Sequence, residues 1–345
     1  MANAAAAAVR ATAWCRVDLG GGTLDIWPLG LLFPGAVTVN VALDLPVAVT
    51  VARRASGYRV TQGGSRVEAA DVHQLAARTD TALIGTICGA LALPPLEVAI
   101  DSSSPLGGGL GASSAVTVAL IAGADRLLGR PAREPAALCR LARDLEAVSM
   151  RLPTGMQDHY GAVTGGALAI HFAPGGERVE RLDVDLAGLS RHLLVVYSGR
   201  SHFSAATNWE IIRGCLEAEP ETQGLFTGIA RVAAQLPQRL EAGDWEGAGE
   251  LVGQEWSLRR HLAAGVSVPA VESLLSLARS LGAWGGKACG AGGGGCVAIL
   301  APEERRAVLA ASLAAAGGEV LSTAPTPRGL ELGGLDDAAF GDEPQ

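Results

Sequence analysis

Residues 105–114 read Pro105-Leu106-Gly107-Gly108-Gly109-Leu110-Gly111-Ala112-Ser113-Ser114, between a short apolar run at 96–100 and an apolar run at 115–124. Glycines permit positive φ and carry no β-carbon, so consecutive backbone amides can turn toward one anion. A helix beginning directly behind such a loop adds the positive end of its dipole at the same point. The hydroxyls of Ser113 and Ser114 can cap that helix or coordinate Mg2+. Two other glycine loops compete for this reading. A Walker loop ends in Gly-Lys-Ser/Thr, which is missing here. A dinucleotide turn is formally matched by Gly107-x-Gly109-x-x-Ala112. The acid that ribose recognition needs ~20 residues further on would then be Asp125, which falls inside the expected helix.

Outward from the loop, strands are expected at 14–19, 37–41, 47–52, 58–61 and 96–100, with the 37–41 and 47–52 runs pairing. Helices are expected at 71–91, 112–128 and 134–150, the last bounded by Pro131 and Pro153. Strands at 166–172 and 192–197 flank a Pro-Gly-Gly stretch at 173–189 that reads as a turn. After Gly199 the texture becomes helical, at 205–217, 228–240, 245–262 and 268–281. A strand, glycine loop and strand over 285–300 follow, then an alanine-rich helix and a strand near Val320. The order gives an α+β chain of two domains, at 10–185 and 186–335, with tails at 1–9 and 336–345 expected to be disordered.

Composition limits the function classes. Hydrophobic residues at 49% and charged residues at 18% suit a globular protein with buried cores. A net charge of -8 without a basic stripe argues against nucleic acid, which needs positive surface to release counterions. The six cysteines form no CxxC pair and no zinc spacing, so they read as small buried apolar residues. The alanine-rich start lacks the basic segment of a signal peptide, and no apolar run approaches the ~20 residues that span a bilayer. A cytoplasmic location is the expectation; the oligomeric state stays open.

Three stretches together resemble the GHMP kinase superfamily. The loop at 105–114 is similar to its central motif, with Ala112 where the first of two serines usually stands. Arg16-Val-Asp-Leu-Gly-Gly-Gly-Thr-Leu-Asp25 resembles the first motif, and Lys287-Ala-Cys-Gly-Ala-Gly-Gly-Gly-Gly-Cys296 the third. Within the superfamily the branch of heptose-7-phosphate kinases and fucokinases is the most similar. The glycines before Asp25 are similar to its Gly-Gly-Gly-Thr-Asp and unlike the Gly-Glu-His-Thr-Asp of galactokinase. Gly155-Met-Gln-Asp-His-Tyr160 and Tyr197-Ser-Gly-Arg-Ser201 resemble two further segments of that branch, although Leu24 and His159 depart from it.

The resemblance implies a two-domain GHMP kinase fold: a ribosomal-protein-S5-domain-2-like N-terminal domain and a ferredoxin-like C-terminal domain. It implies ATP and Mg2+ as cofactors and a small sugar or sugar phosphate as acceptor, phosphorylated at its anomeric O1. Asp158 then takes the place of the catalytic base, beside Arg16. The nucleotide would lie on Pro105, Gly107, Gly108, Gly109, Leu110, Gly111, Ala112, Ser113 and Ser114. Mg2+ would lie on Ser113 and Glu146, with Asp144 as the fallback and Ser114 as a helix cap. Asp25, Thr23, Gly22, Tyr160, Gly292 and Gly293 would face the acceptor. Trp27, His159, Arg200 and Ser201 are weaker contacts of that pocket. Lys287, Arg200 and Arg16 are the cations at hand should the acceptor carry a phosphate. The competing functions are a non-catalytic sugar or ATP sensor on the same scaffold, and a kinase for a non-sugar alcohol of the mevalonate type.

Overall fold

The computed structural model describes residues 8–200 and 205–335. Among the described residues, twelve strands form two sheets: β1 (Ala8–Gly20), β2 (Val37–Arg53), β3 (Tyr58–Gln62), β4 (Ser65–Ala69), β5 (Leu96–Ser102), β6 (Ala167–Ala173), β7 (Gly176–Leu182), β8 (Leu193–Tyr197), β9 (Gly285–Ala288), β10 (Cys296–Leu300), β11 (Glu319–Val320) and β12 (Glu331–Leu335). The first sheet runs β12-β1-β2-β5-β3-β4, with β6 on β2 and β7 beyond it. All its pairs are antiparallel except β3 with β5. The second runs β11-β8-β10-β9, all antiparallel. Numbered along the chain, its strands lie in the order fourth, first, third, second, as in a ferredoxin-like sheet.

The helix Ala112–Leu127 packs along β1 and β2. It is buried on nearly every side, which explains its apolar composition all round. The segment of residues 24–36 leaves the first sheet and packs its Leu24, Ile26, Leu29 and Phe33 among the helices of the second half. Phe33 stacks there on Phe226 at 5.2 Å. The two halves therefore share apolar cores, as the mixed membership of the largest cluster also shows.

Several expectations change. The runs at 37–41 and 47–52 do not pair with each other. They are two ends of one long strand, β2, whose first end takes β6 and whose second end takes β5. Residues 71–91 form two helices, Val72–Ala76 and Ala82–Ala90. Asp71 caps the first through the amides of His73 and Gln74, and the Thr81 hydroxyl bonds the Leu75 carbonyl in the break. The stretch at 173–189 holds β7 and the start of the helix Leu186–His192. β7 (Gly-Glu-Arg-Val-Glu-Arg-Leu) is mostly charged and lies at the sheet margin, so no apolar run or alternation announced it. Ala8 and Val9, assigned to a tail, belong to β1. β12 returns from the C-terminal half to the edge of the first sheet, so a single cut at 185 does not separate two structural units.

Candidate active site

The loop at 105–114 joins β5 to the helix Ala112–Leu127 with positive φ at Gly107, Gly109 and Gly111. Its carbonyls are turned inward and held. Arg16 donates its amide to the Leu110 carbonyl at 2.9 Å and its Nη1 to the Gly109 carbonyl at 2.8 Å. The Cys296 amide donates to the Gly108 carbonyl at 2.8 Å. Among the described residues, no backbone amide from Gly109 to Ser114 has a carbonyl partner. Free amides at the N-terminus of a long helix are what a phosphate group needs. Asp125, the acid a dinucleotide reading required, is buried at the far end of this helix and paired with Arg133 at 2.7 Å.

The loop at 290–295 presses on this one backbone to backbone. A β-carbon at Gly109 would lie 2.7 Å from the Cys289 carbonyl oxygen, with φ at +72. Gly109→Ala therefore carries a left-handed alanine, costing on the order of 1 kcal/mol, and also pushes the two loops apart. The expected result is a KM for ATP raised by roughly tenfold or more, with acceptor KM little changed. Equal effects on both substrates would refute a nucleotide role for the loop.

Asp158 stands in the first turn of the helix Gln157–Thr164, with its side chain 29% exposed. Arg16, fully buried on β1, donates through Nε to Asp158 Oδ1 at 2.8 Å and through Nη2 to the same atom. The register of β1 against β2 shifts on both sides of this segment, between Trp14 and Arg16 and between Asp18 and Gly20. Such irregularities re-aim side chains out of a ladder. A β-carbon on Gly111 would sit 3.2 Å from the Asp158 β-carbon, so this carboxylate faces the end of the loop.

Asp25 supports that corner from behind. Its Oδ2 accepts the amides of Met156 at 2.8 Å and Gln157 at 3.0 Å, opening the helix that carries Asp158. Gly155 leaves room for this, since a β-carbon there would lie 2.0 Å from Asp25 Oδ2. Burial, then the negative charge of Asp158, push the Asp25 carboxyl up to about 6, against the pull of the Gln157 amide.

Glu146, on the helix Pro135–Met150, accepts the hydroxyls of Ser113 at 3.3 Å, Ser114 at 3.1 Å and Thr117 at 3.0 Å. His159 Nε2 lies 3.2 Å from its Oε2. Burial pushes this carboxyl up, but the His159 ring and the hydroxyls hold it below the ordinary glutamate value. Ser113 and Glu146 offer the oxygen donors that a hard cation such as Mg2+ takes, beside the free amides. Asp144 is exposed and pairs with Arg143, away from this cluster. Ser114 does not cap the helix; its hydroxyl goes to Glu146.

Other expected contacts are not brought to the corner. Tyr160 is buried beside Cys139, Met156 and Leu168, and its hydroxyl donates to Glu177 at 2.6 Å. Its ring is as apolar as a core residue needs, and the helix turns it to the opposite side from Asp158. His159 is buried against Glu146, outside an acceptor pocket. Trp27 is 72% exposed. Gly292 and Gly293 pack on Val266, the Gly293 amide donating to its carbonyl at 2.8 Å. Arg200 meets the third loop by its backbone, accepting the Gly295 amide, and its side chain is exposed. Ser201 lies outside the described residues. Lys287 is 0% exposed, bonded to Asp18 at 2.9 Å and Glu255 at 3.0 Å, and so is not free for a phosphate.

The sequence reading missed Thr117, Gly155, Asp18, Glu255 and Arg259. Thr117 follows Ser113 by one helical turn, and Arg259 follows Glu255 likewise. Those spacings are the local signal for Thr117 and Arg259, while Asp18 and Gly155 lie inside quoted motifs without having been singled out. All six cysteines are buried and free, as their spacing suggested. No described helix is long and apolar enough to cross a membrane.

The chain matches the GHMP kinases N terminal domain over residues 64–166 and the GHMP kinases C terminal region over residues 236–318. It belongs to the GHMP kinase family. It is 28% identical to a mevalonate kinase of Methanothermobacter thermautotrophicus over 264 residues, covering 74% of this chain and 80% of that one. It is 26% identical to the D-glycero-alpha-D-manno-heptose 7-phosphate kinase of Campylobacter jejuni over 203 residues, 57% of this chain and 59% of the other. Among solved structures, a D-glycero-D-manno-heptose 1-phosphate kinase from Bacteroides thetaiotaomicron superposes with a TM-score of 0.75 at 19% identity, covering 95% and 99% of the two chains. Lactococcus lactis galactokinase superposes with a TM-score of 0.76 at 13% identity, covering 94% and 95%. Small-molecule kinases of both sugar and mevalonate type are thus among its relatives.

Proposed function

We propose that this chain is an ATP- and Mg2+-dependent kinase whose acceptor is a sugar or sugar phosphate, phosphorylated at its anomeric hydroxyl. The observation that carries the reading is the placement of Asp158, held by Arg16 and facing the loop of free amides. ATP would supply the transferred phosphoryl group on that loop, and Mg2+ on Ser113 and Glu146 would supply compensating charge. Asp158 accepts the hydrogen bond of the acceptor hydroxyl, aims its lone pair, and takes its proton as the new O–P bond forms and the bond from the γ-phosphorus to the ADP leaving group breaks. Arg16 keeps the carboxylate in place and adds positive charge beside the phosphoryl path.

Charge balance disfavours a carboxylate at this corner, whereas the phosphate of a heptose 7-phosphate lies at the far end of the sugar from O1 and need not enter it. Mevalonate carries a carboxylate and would need a free cation. Arg16 is committed to Asp158 and Gly109, and Lys287 to Asp18 and Glu255. Asp25 and Asp158 would repel a second carboxylate, whereas both accept hydrogen bonds from hydroxyls. An ADP-release screen across D-galactose, L-fucose, D-glycero-D-manno-heptose 7-phosphate and mevalonate tests this. A sugar should exceed mevalonate in kcat/KM by roughly 100-fold or more. Mevalonate as the best acceptor would overturn the sugar assignment while leaving the kinase reading intact.

Asp25 also sets a pH dependence. Its raised value places protonation below about pH 6, and the protonated form loses acceptor capacity toward a sugar hydroxyl. The KM for the sugar should therefore rise as pH falls through about 6 and stay flat above about 7. In Asp25→Asn that inflection should disappear from the KM profile. An unchanged inflection would assign it to another group.

A further inference from the structure

Four buried charges lie between the two halves, outside the corner described above. Asp18 on β1 and Glu255 on the helix Trp245–Arg259 both receive Lys287 of β9. Arg259, one turn on from Glu255, lies 3.6 Å from it. Asp18, Glu255 and Lys287 are fully buried and Arg259 nearly so. The Arg259 guanidinium is spent on the backbone of two glycine turns at once. Its Nη1 donates to the Gly22 carbonyl at 2.6 Å, and its Nη2 to the Thr23 hydroxyl at 2.9 Å and the Gly290 carbonyl at 2.9 Å. Gly22 admits this approach, since a β-carbon there would meet Asp18 Oδ2 at 2.5 Å and Arg259 Nη1 at 2.9 Å.

Thr23 is the informative residue. It is β-branched and yet holds φ at +74, a conformation such residues avoid unless their surroundings impose it. Its hydroxyl oxygen accepts a hydrogen bond from Arg259 Nη2. Two residues on stands Asp25, after the turn closed by Leu24 to Gly21 and inside the one closed by Ile26 to Thr23.

We propose that Arg259 is a positioning residue, which pins Thr23 in its strained conformation and so fixes Asp25 at the acceptor corner, while tying that turn to the third glycine loop. The buried Asp18–Lys287–Glu255 cluster holds the guanidinium in register. This rests on the kinase reading only for its kinetic consequence; the structural consequence stands apart from it.

The test uses the full chain with Arg259→Lys, which keeps the charge but lacks the two-nitrogen fork that reaches both turns. Amide hydrogen exchange at residues 21–27 should speed up by roughly tenfold or more. With D-glycero-D-manno-heptose 7-phosphate as acceptor, KM should rise by roughly tenfold while affinity for a fluorescent N-methylanthraniloyl-ATP stays within about twofold. Unchanged exchange at 21–27, or nucleotide affinity falling as far as acceptor affinity, overturns the proposal. If Arg259→Lys does not fold, Thr23→Val and Thr23→Ser decide instead. Valine removes the accepting oxygen and should reproduce the faster exchange, while serine should behave as the parent; identical behaviour of the two overturns it. No turnover of the heptose phosphate by the parent protein would count against the acceptor assignment, and the exchange measurements would still decide the role of Arg259.

Discussion

Asp158→Asn should lower kcat by roughly 10³-fold, within the span that positioned acid–base groups contribute. Asparagine has the same shape, and its carbonyl oxygen can still meet the Arg16 guanidinium that Asp158 now receives. The loop amides at 109–114 are untouched, because the side chain at 158 is not among their partners. Binding of N-methylanthraniloyl-ATP should therefore change by about twofold or less, while single-turnover ADP formation collapses. The loss lies in proton acceptance: an amide orients a hydroxyl but does not take its proton. Activity within about threefold of the parent would remove Asp158 from the role of base.

Lys287→Met should give the largest loss of stability. Lys287 is fully buried between Asp18 and Glu255, themselves fully buried. Burial alone would raise the Asp18 carboxyl, and Lys287, then Arg259 and Arg16, bring it below the ordinary aspartate value. Removing the lysine leaves two carboxylates facing one remaining guanidinium. Breaking such a pair costs about 3–5 kcal/mol, against less than about 1 kcal/mol for an exposed pair such as Arg328–Glu331. At this chain length the melting temperature should fall by roughly 10 °C. Adding Asp18→Asn should recover part of the loss by removing one stranded charge. A fall below about 2 °C for the single variant would mean that water enters and solvates the cluster.

Residues whose identity dictates backbone geometry were legible from the chain alone. The glycines at 107–111 and the serines behind them suggest an anion cradle by what they lack and what they carry, and the loop has positive φ at Gly107, Gly109 and Gly111 directly before a helix. Arg16 and Asp158 stand in motifs and Glu146 in the helix before Asp158; Arg16 meets Asp158, and Glu146 meets the serines behind the loop. Lys287 shows the opposite case. A lysine is ordinarily exposed, and only the arrival of Asp18 and Glu255 from distant parts of the chain makes its burial tolerable. Tyr160 misled for a related reason: motif adjacency does not say which face of the short helix Gln157–Thr164 points at the corner. Asp25 was read as an acceptor contact, but no local pattern reveals that the same carboxylate opens the helix of the proposed base. β12 was invisible because Glu-Leu-Gly-Gly-Leu has poor strand propensity, and its pairing is imposed by the waiting edge of β1.

That pairing has a consequence for the chain as it is made. Thr12 to Ala8 of β1 pair with Glu331 to Leu335, and Trp14 donates its indole to the Gly329 carbonyl with Arg328 over its ring. β1 leaves the ribosome long before residues 331–335 and waits for them before its outer edge is covered. Throughout synthesis that edge offers unpaired amides and carbonyls to any extended neighbour. Nascent chains stalled before residue 331 carry the complete glycine loop together with an open strand, and are the species from which a chaperone has most to protect.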